Sequence, residues 1–241
     1  YNAFSAADAG QNNNVIIGSG AASAMDTSAC DSNVIIGKGA GIGGGQTTTK
    51  CIAIGESALA TAPGGSDSQT GTIAIGHLAL ASLTSGNGNI AIGYQAADEL
   101  TDSVSNIAIG EASLGAYAGN GTSNIVIGRY AMDGVGDIDG TSANIMIGVH
   151  TGGGSWTGTA STHNIAVGGY ALSGALNGSV GQIAIGYEAL KSSTTGTSNT
   201  AVGHQCLYSN TTGSNNLGVG LESLWYNATG SGNTALGSDS L

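Results

Sequence analysis

A five-residue phrase close to Asn-Ile-Ala-Ile-Gly returns thirteen times along these 241 residues. It closes at Gly18, Gly37, Gly55, Gly76, Gly93, Gly110, Gly128, Gly148, Gly168, Gly186, Gly203, Gly220 and Gly237. The steps between these glycines run from 17 to 21 residues, most often 17 or 18. A fixed period of this size marks one supersecondary unit per repeat, which buries its apolar face only by stacking on its neighbours. The expected fold is all-β: a parallel β-solenoid of about thirteen coils. It reads as one repetitive segment over 1–241, with a linker-like start at 1–13 and repeats over 14–241. No repeat differs sharply from the rest, which argues against an enzyme.

Counting from the phrase glycine as position zero gives each column a role. Position −4 is Asn in ten repeats: Asn14, Asn33, Asn89, Asn106, Asn124, Asn144, Asn164, Asn199, Asn216 and Asn233. Cys51, Thr72 and Gln182 stand there in the others. Positions −3 and −1 are nearly always Ile, Val or Leu, and −2 is usually Ala. Such a triplet before Gly predicts a short strand ending in a bend. The strand is too short for a free sheet, but it pairs with the same strand one coil above and below, at about 4.8 Å. Stacked Asn side chains predict a ladder that passes amide hydrogen bonds from coil to coil and bonds turn backbone. Position +3 is small and +4 is most often Leu, as in Leu59, Leu80 and Leu190.

The two faces of the strand decide more than the strand itself. Positions −3 and −1 point one way and −2 the other. Yet −2 is never polar, and −3 is polar only at Thr200 and Thr234. Both faces therefore read as buried. The coil interior covers one; the other calls for a cover, and the simplest is another copy of the chain in a parallel oligomer. The alternative is an Ala column facing solvent, which Ile16, Ile35, Val126 and Met146 argue against.

Composition removes several classes. Net charge is −11, and the four basic residues Lys38, Lys50, Arg129 and Lys191 are scattered, so no basic stripe tracks a phosphate backbone. Nucleic acid is not an expected partner. No apolar run approaches the ~20 residues of a spanning helix, so membrane insertion is not expected either. Cys30, Cys51 and Cys206 are an odd number; they read as small semi-buried side chains, with a Cys30–Cys51 disulfide as an alternative.

Reactive chemistry is sparse. His77, His150, His163 and His204 sit in different coils and do not converge as metal ligands need to. Asp133, Asp137 and Asp139 share one loop but lack a calcium-loop pattern, so a solvated acidic loop is expected. No catalytic, cofactor-binding or metal-binding residue is assigned. The outward columns +1 and +2 carry Tyr94, Tyr130, Tyr170 and Tyr187, which together with Trp156 are the candidate surface contacts for a glycan or protein receptor. The variable polar stretches 60–71, 133–143 and 151–162 read as outward loops.

The columns Asn-x-Ala-x-Gly-x-x-Ala-Leu, clearest at 199–207 (NTAVGHQCL) and 233–241 (NTALGSDSL), resemble two related groups. These are the YadA-like head of trimeric autotransporter adhesins and the repeat shafts of bacteriophage tail fibres. The resemblance covers nearly the whole chain from Asn14. It implies a left-handed β-roll, a homotrimer, an extracellular location and a role as attachment fibre or stalk. The 17-residue period departs from the shorter repeat usual in adhesin heads and leans toward the tail-fibre or surface-filament form. Leu241 falls at +4, and Tyr1-Asn2-Ala3 is similar to Tyr226-Asn227-Ala228, shortly after the +4 residue Leu224. Continuation into more of the same array, covalently or head to tail, is therefore an expectation. An ice-binding solenoid is the rival reading, disfavoured because its Thr residues fall in loops of unequal length. A glycan-degrading β-helix is less favoured still, because Glu188 and Glu222 are two coils apart.

Overall fold

A computed structural model describes residues 3, 11–23, 25, 30–41, 48–60 and 69–241. Most of the linker-like start and residues 61–68 of the expected 60–71 loop lie outside the described residues. The strands, in chain order, are β1 Val15–Ile17, β2 Val34–Ile36, β3 Thr48–Thr49, β4 Ile52–Ile54, β5 Gln69–Thr70, β6 Ile73–Ile75, β7 Ile90–Ile92, β8 Ile107–Ile109, β9 Ile125–Ile127, β10 Ile145–Ile147, β11 Ile165–Val167, β12 Ile183–Ile185, β13 Thr200–Val202, β14 Leu217–Val219 and β15 Thr234–Leu236. All but β3 and β5 are the recurring phrases, and no helix occurs among the described residues.

The chain divides into two compact units, Tyr1–Asn120 and Gly121–Leu241, each a parallel β-solenoid. In the first, β1, β2, β4, β6, β7 and β8 stack in that order; in the second, β9 to β15 stack in sequence order. Column-mates pair: Ile90 lies opposite Ile107, Ala91 opposite Ala108 and Ile92 opposite Ile109. The register holds across coils of different length, because the extra residues leave the strands and enter the loops.

The phrase glycine is a steric requirement. All thirteen have φ between 119° and 144°, a backbone that side-chain-bearing residues rarely adopt. In the stacked coils a Cβ there would lie 2.1–2.7 Å from the carbonyl oxygen of the next phrase glycine. Bend and close approach thus select the same residue.

Beyond the glycine the backbone turns through left-handed residues that are seldom Gly. Position +2 has φ near 55°, as at Gln95 (51°) and Tyr130 (55°), and +4 is similar, at Leu80 (51°) and Leu190 (51°). Single αL residues cost on the order of 1 kcal/mol each. The gain is continuity of bonding. The +2 amide of Gln95 donates back to His77 O at 2.9 Å, and the +4 amide of Leu80 donates forward to Ala96 O at 3.0 Å. Coil-to-coil pairing therefore runs round the corner, and the Leu side chain enters the core.

The interior is built from −2, +3 and +4. Ala53, Ala58 and Leu59 are buried, as are Ala184, Ala189 and Leu190. Larger residues are matched by smaller ones. Where Ile35 takes −2, +4 is Gly41, whose added Cβ would meet Ile35 Cδ1 at 2.9 Å. Where Met146 takes −2, +4 is Gly152, at 3.0 Å from Met146 Sδ. Gly218 makes room for Cys206, whose Sγ would be 2.6 Å from an added Cβ. This is volume conservation in a close-packed core.

The Ala column thus faces inward, as the larger residues Ile35, Val126 and Met146 in the same column argued, and the chain turns its Ile columns outward. Gly93→Ala and Gly71→Ala separate space from backbone conformation. Both residues have positive φ, but only at Gly93 would the methyl strike backbone, 2.4 Å from Gly110 O, while Gly71 has open space. Gly71→Ala should cost about 1 kcal/mol; Gly93→Ala should cost more than about 4 kcal/mol or abolish folding. Denaturant melts of the two variants check this, and equal losses would contradict it.

Candidate functional site

Three features run along the stacked coils: an outward aliphatic face, a buried amide ladder and a strip of aromatic rings. Positions −3 and −1 make the aliphatic face. Both stand half-buried or exposed while the residue between them is buried, Ala in β4, β6 and β8 and Val126 in β9. Ile147 is 36% exposed and Ile185 40%. In the unit Gly121–Leu241 the +1 column, beyond the bend and beside this face, carries Val149, Tyr187 and Leu221, all exposed. In the unit Tyr1–Asn120 the same column carries Lys38, Glu56, His77 and Glu111. An aliphatic surface continuous over many strands exceeds the scattered apolar exposure of ordinary surfaces.

The Asn column sits at the strand entry, buried through most of its length. Asn144 illustrates the pattern. Its Oδ1 accepts the Asn164 backbone N–H at 3.0 Å and Asn164 Nδ2 at 3.1 Å. Its Nδ2 donates to Asn124 Oδ1 at 3.1 Å and to Ser161 O, in the next coil's turn, at 2.9 Å. Asn33 repeats this on Asn14 Oδ1 and Thr48 O, and Asn106 on Asn89 Oδ1. Asn216 does so on Asn199 Oδ1 and Gly230 O, and Asn233 on Asn216 Oδ1. Gln182 keeps the ladder through: its N–H donates to Asn164 Oδ1 at 3.0 Å, and its Oε1 accepts Asn199 Nδ2 at 3.2 Å. Cys51 replaces amide by thiol, donating to Gln69 O at 3.4 Å. Thr72 interrupts the column; its buried hydroxyl has no hydrogen-bond partner. Beside these two substitutions the turn acquires its own pairing, β3 with β5.

The aromatic strip follows +1 and +2. Tyr130, His150, Tyr170, Tyr187 and His204 place one ring in each of five successive coils. Centroids are 5.2 Å apart from Tyr130 to His150, 5.2 Å to Tyr170, 6.0 Å to Tyr187 and 5.3 Å to His204. The strip steps from +2 to +1 between Tyr170 and Tyr187. There Gly169 has no side chain, and the Tyr187 ring leans within 3.6 Å of where its Cβ would be. The two tyrosines cross at 75° and are 38% and 47% exposed. Tyr94, exposed, stacks on His77 in the other unit at 5.4 Å. Trp156 is a correction: it is 3% exposed, not a surface contact. The ring turns inward while Ser155, Thr157, Gly158 and Thr159 around it stay exposed; the Trp156 backbone N–H donates to Gly134 O at 3.0 Å, and burying so large a ring outweighs leaving indole Nε1 without a partner.

Charged groups lie at the margins. Lys191 Nζ is 2.5 Å from Glu188 Oε1 and lies over the rings of Tyr170 and Tyr208. The hydrogen bond from Lys191 holds the Glu188 carboxyl below the usual carboxylate range. Cys30, Cys51 and Cys206 are buried and form no disulfide with one another, and burial pushes the Cys206 thiol up to about 11. Asp133 is half-buried, and desolvation raises its pKa; Asp137 and Asp139 are exposed. Among the described residues no group of three or more His, Cys, Asp or Glu converges on a metal-sized site. No protein-family model, curated protein or solved structure matches the chain.

Two measurements check these contacts. Asn144→Ala should destabilise by roughly 3 kcal/mol or more, because it strands several buried groups, whereas Thr72→Asn should stabilise by about 1 kcal/mol by closing the gap. Urea midpoints of both variants decide it. The depressed Glu188 carboxyl contributes stability that is present above its unfolded pKa and lost as pH falls through the lower folded value. Wild-type stability should therefore fall more steeply than that of Glu188→Gln as acid is added below about pH 4.3, read from thermal melts across that range.

Proposed function

We propose that this chain is a non-catalytic segment of an extracellular attachment fibre, assembled from parallel copies of itself as a homotrimer. The observation that carries the reading is the outward aliphatic face. Water contacts Ile147 and Ile185 over more than a third of their surface, and the same columns are aliphatic in coil after coil. Removing apolar surface from water contributes roughly 25 cal/mol per Å², so a face repeated over many strands offers a large gain to any partner of matching shape. A parallel copy has the same coil spacing and presents the same columns, so every contact made in one coil repeats in the next.

The sequence resemblance to adhesin heads and tail-fibre shafts supports the same assignment. The loops, whose lengths vary while the strands keep register, then serve as the surface that meets a host receptor. The reading assigns no chemical step, cofactor or metal to the chain.

Sedimentation equilibrium of the full chain tests it. The expected result is a discrete trimer. Ile147→Lys with Ile185→Lys, which leaves the inward columns untouched, should shift it to monomer while circular dichroism stays β-rich. A wild-type monomer at micromolar concentration would refute the assignment.

A further inference from the structure

The ring strip in the unit Gly121–Leu241 has a property that neither folding nor the aliphatic face requires. It puts one ring in each of five successive coils, with centroids 5.2–6.0 Å apart, and leaves Tyr170, Tyr187 and His204 exposed. Stacking on a neighbouring ring stabilises the coils to some degree, but it does not call for hydroxyl- and nitrogen-bearing rings at the solvent boundary. A translational repeat on a surface suits a partner that itself repeats. The ring spacing is close to the length of one pyranose in an extended β-linked glycan. The crossed pair Tyr170–Tyr187 forms an aromatic corner in which one ring's face meets the other's edge. Coil-to-coil stacking covers ring faces and turns the phenol and imidazole edges outward, where they can hydrogen-bond sugar hydroxyls.

Charge narrows the ligand. The chain carries −11 overall. The cations beside the strip are already engaged: Arg129 lies over Tyr130, and Lys191 is paired with Glu188. A polyanionic glycan would find no cation cluster there to outweigh the chain's net negative charge. A globular protein receptor has no reason to match a five-coil repeat.

We propose that the strip from Tyr130 to His204 is a binding track for a neutral, extended β-linked glycan lying along the coil-stacking direction, with the Tyr170–Tyr187 corner as its anchor. This deepens the attachment reading but does not depend on the homotrimer, since the track lies within one unit of one chain.

Isothermal titration of the full chain with neutral β-1,4-linked oligosaccharides (glucose, mannose and N-acetylglucosamine series, two to seven residues) tests it. Affinity for at least one series should rise with each added sugar and level off near five or six. Tyr187→Ala and Tyr170→Ala should each weaken binding on the order of 2- to 10-fold. Tyr226→Ala, at an exposed position off the strip, should leave it unchanged, and Tyr187→Phe, which keeps the ring and loses the phenol, should weaken it as well. Absence of binding in all three series, no dependence on length, equal affinity in Tyr187→Ala, or preference for a sulfated glycan would each overturn the proposal. Sedimentation of the same samples separates its failure from failure of the homotrimer.

Discussion

Everything in this fold depends on how closely two backbones approach at the phrase glycine. There the carbonyl of one coil lies where the Cβ of the previous coil would be, 2.1–2.7 Å away. No side chain fits, and the positive φ that bends the strand disfavours one in any case. With the backbones this close, the glycine N–H reaches the preceding coil's carbonyl at 2.8 Å, as Gly93 does on Ile75 O. The next corner then continues the same bonding through left-handed +2 and +4 residues. The strain at Leu80 or Leu190 is tolerated because each leucine is buried and each amide is bonded.

Given that frame, the two sides of the strand obey different rules. Inside, space is conserved: Ile35 answers Gly41, Met146 answers Gly152, and Cys206 answers Gly218. Outside, nothing within the coil demands an aliphatic residue. β-propensity alone would admit Thr and Tyr freely at −3 and −1. Yet along the whole of those two columns only Thr200 and Thr234 depart from Ile, Val or Leu. A preference that strict on a surface exceeds what strand formation requires, and the proposed pairing of copies rests on it. The Asn ladder adds direction: as at Asn144, a buried amide bonds both the coil before it and the turn of the coil after it, fixing register without contributing to the outer face.

Strand positions and register were legible in the sequence because column identity survives changes of loop length. Which face turns inward was legible only through the larger −2 residues such as Ile35 and Met146, since alternation gives two sides and both are apolar here. Packing decides it: only Ala and small partners fit beside the +4 leucines. The left-handed residues were hidden because Gln95, Leu80 and Tyr130 are not turn formers by propensity; coil-to-coil bonding overrides local preference. Trp156 misled because a Gly-rich loop reads as exposed: the loop around it is, but the ring itself turns into the core. The tyrosines were legible as an outward set, but their union with His150 and His204 into one strip depends on the step over Gly169, which only the three-dimensional arrangement displays.

The most direct test of the central claim is the accessibility of the outer face in the protein as it stands in solution. The native thiols are buried, so a single Ile185→Cys substitution supplies the one reactive thiol. If copies meet through this face, the thiol should resist a bulky maleimide and cross-link between chains under mild oxidation. A Ser238→Cys control, at an exposed position near the last strand, should label at once. Equal rapid labelling at both positions, with no cross-linked species, would contradict the account.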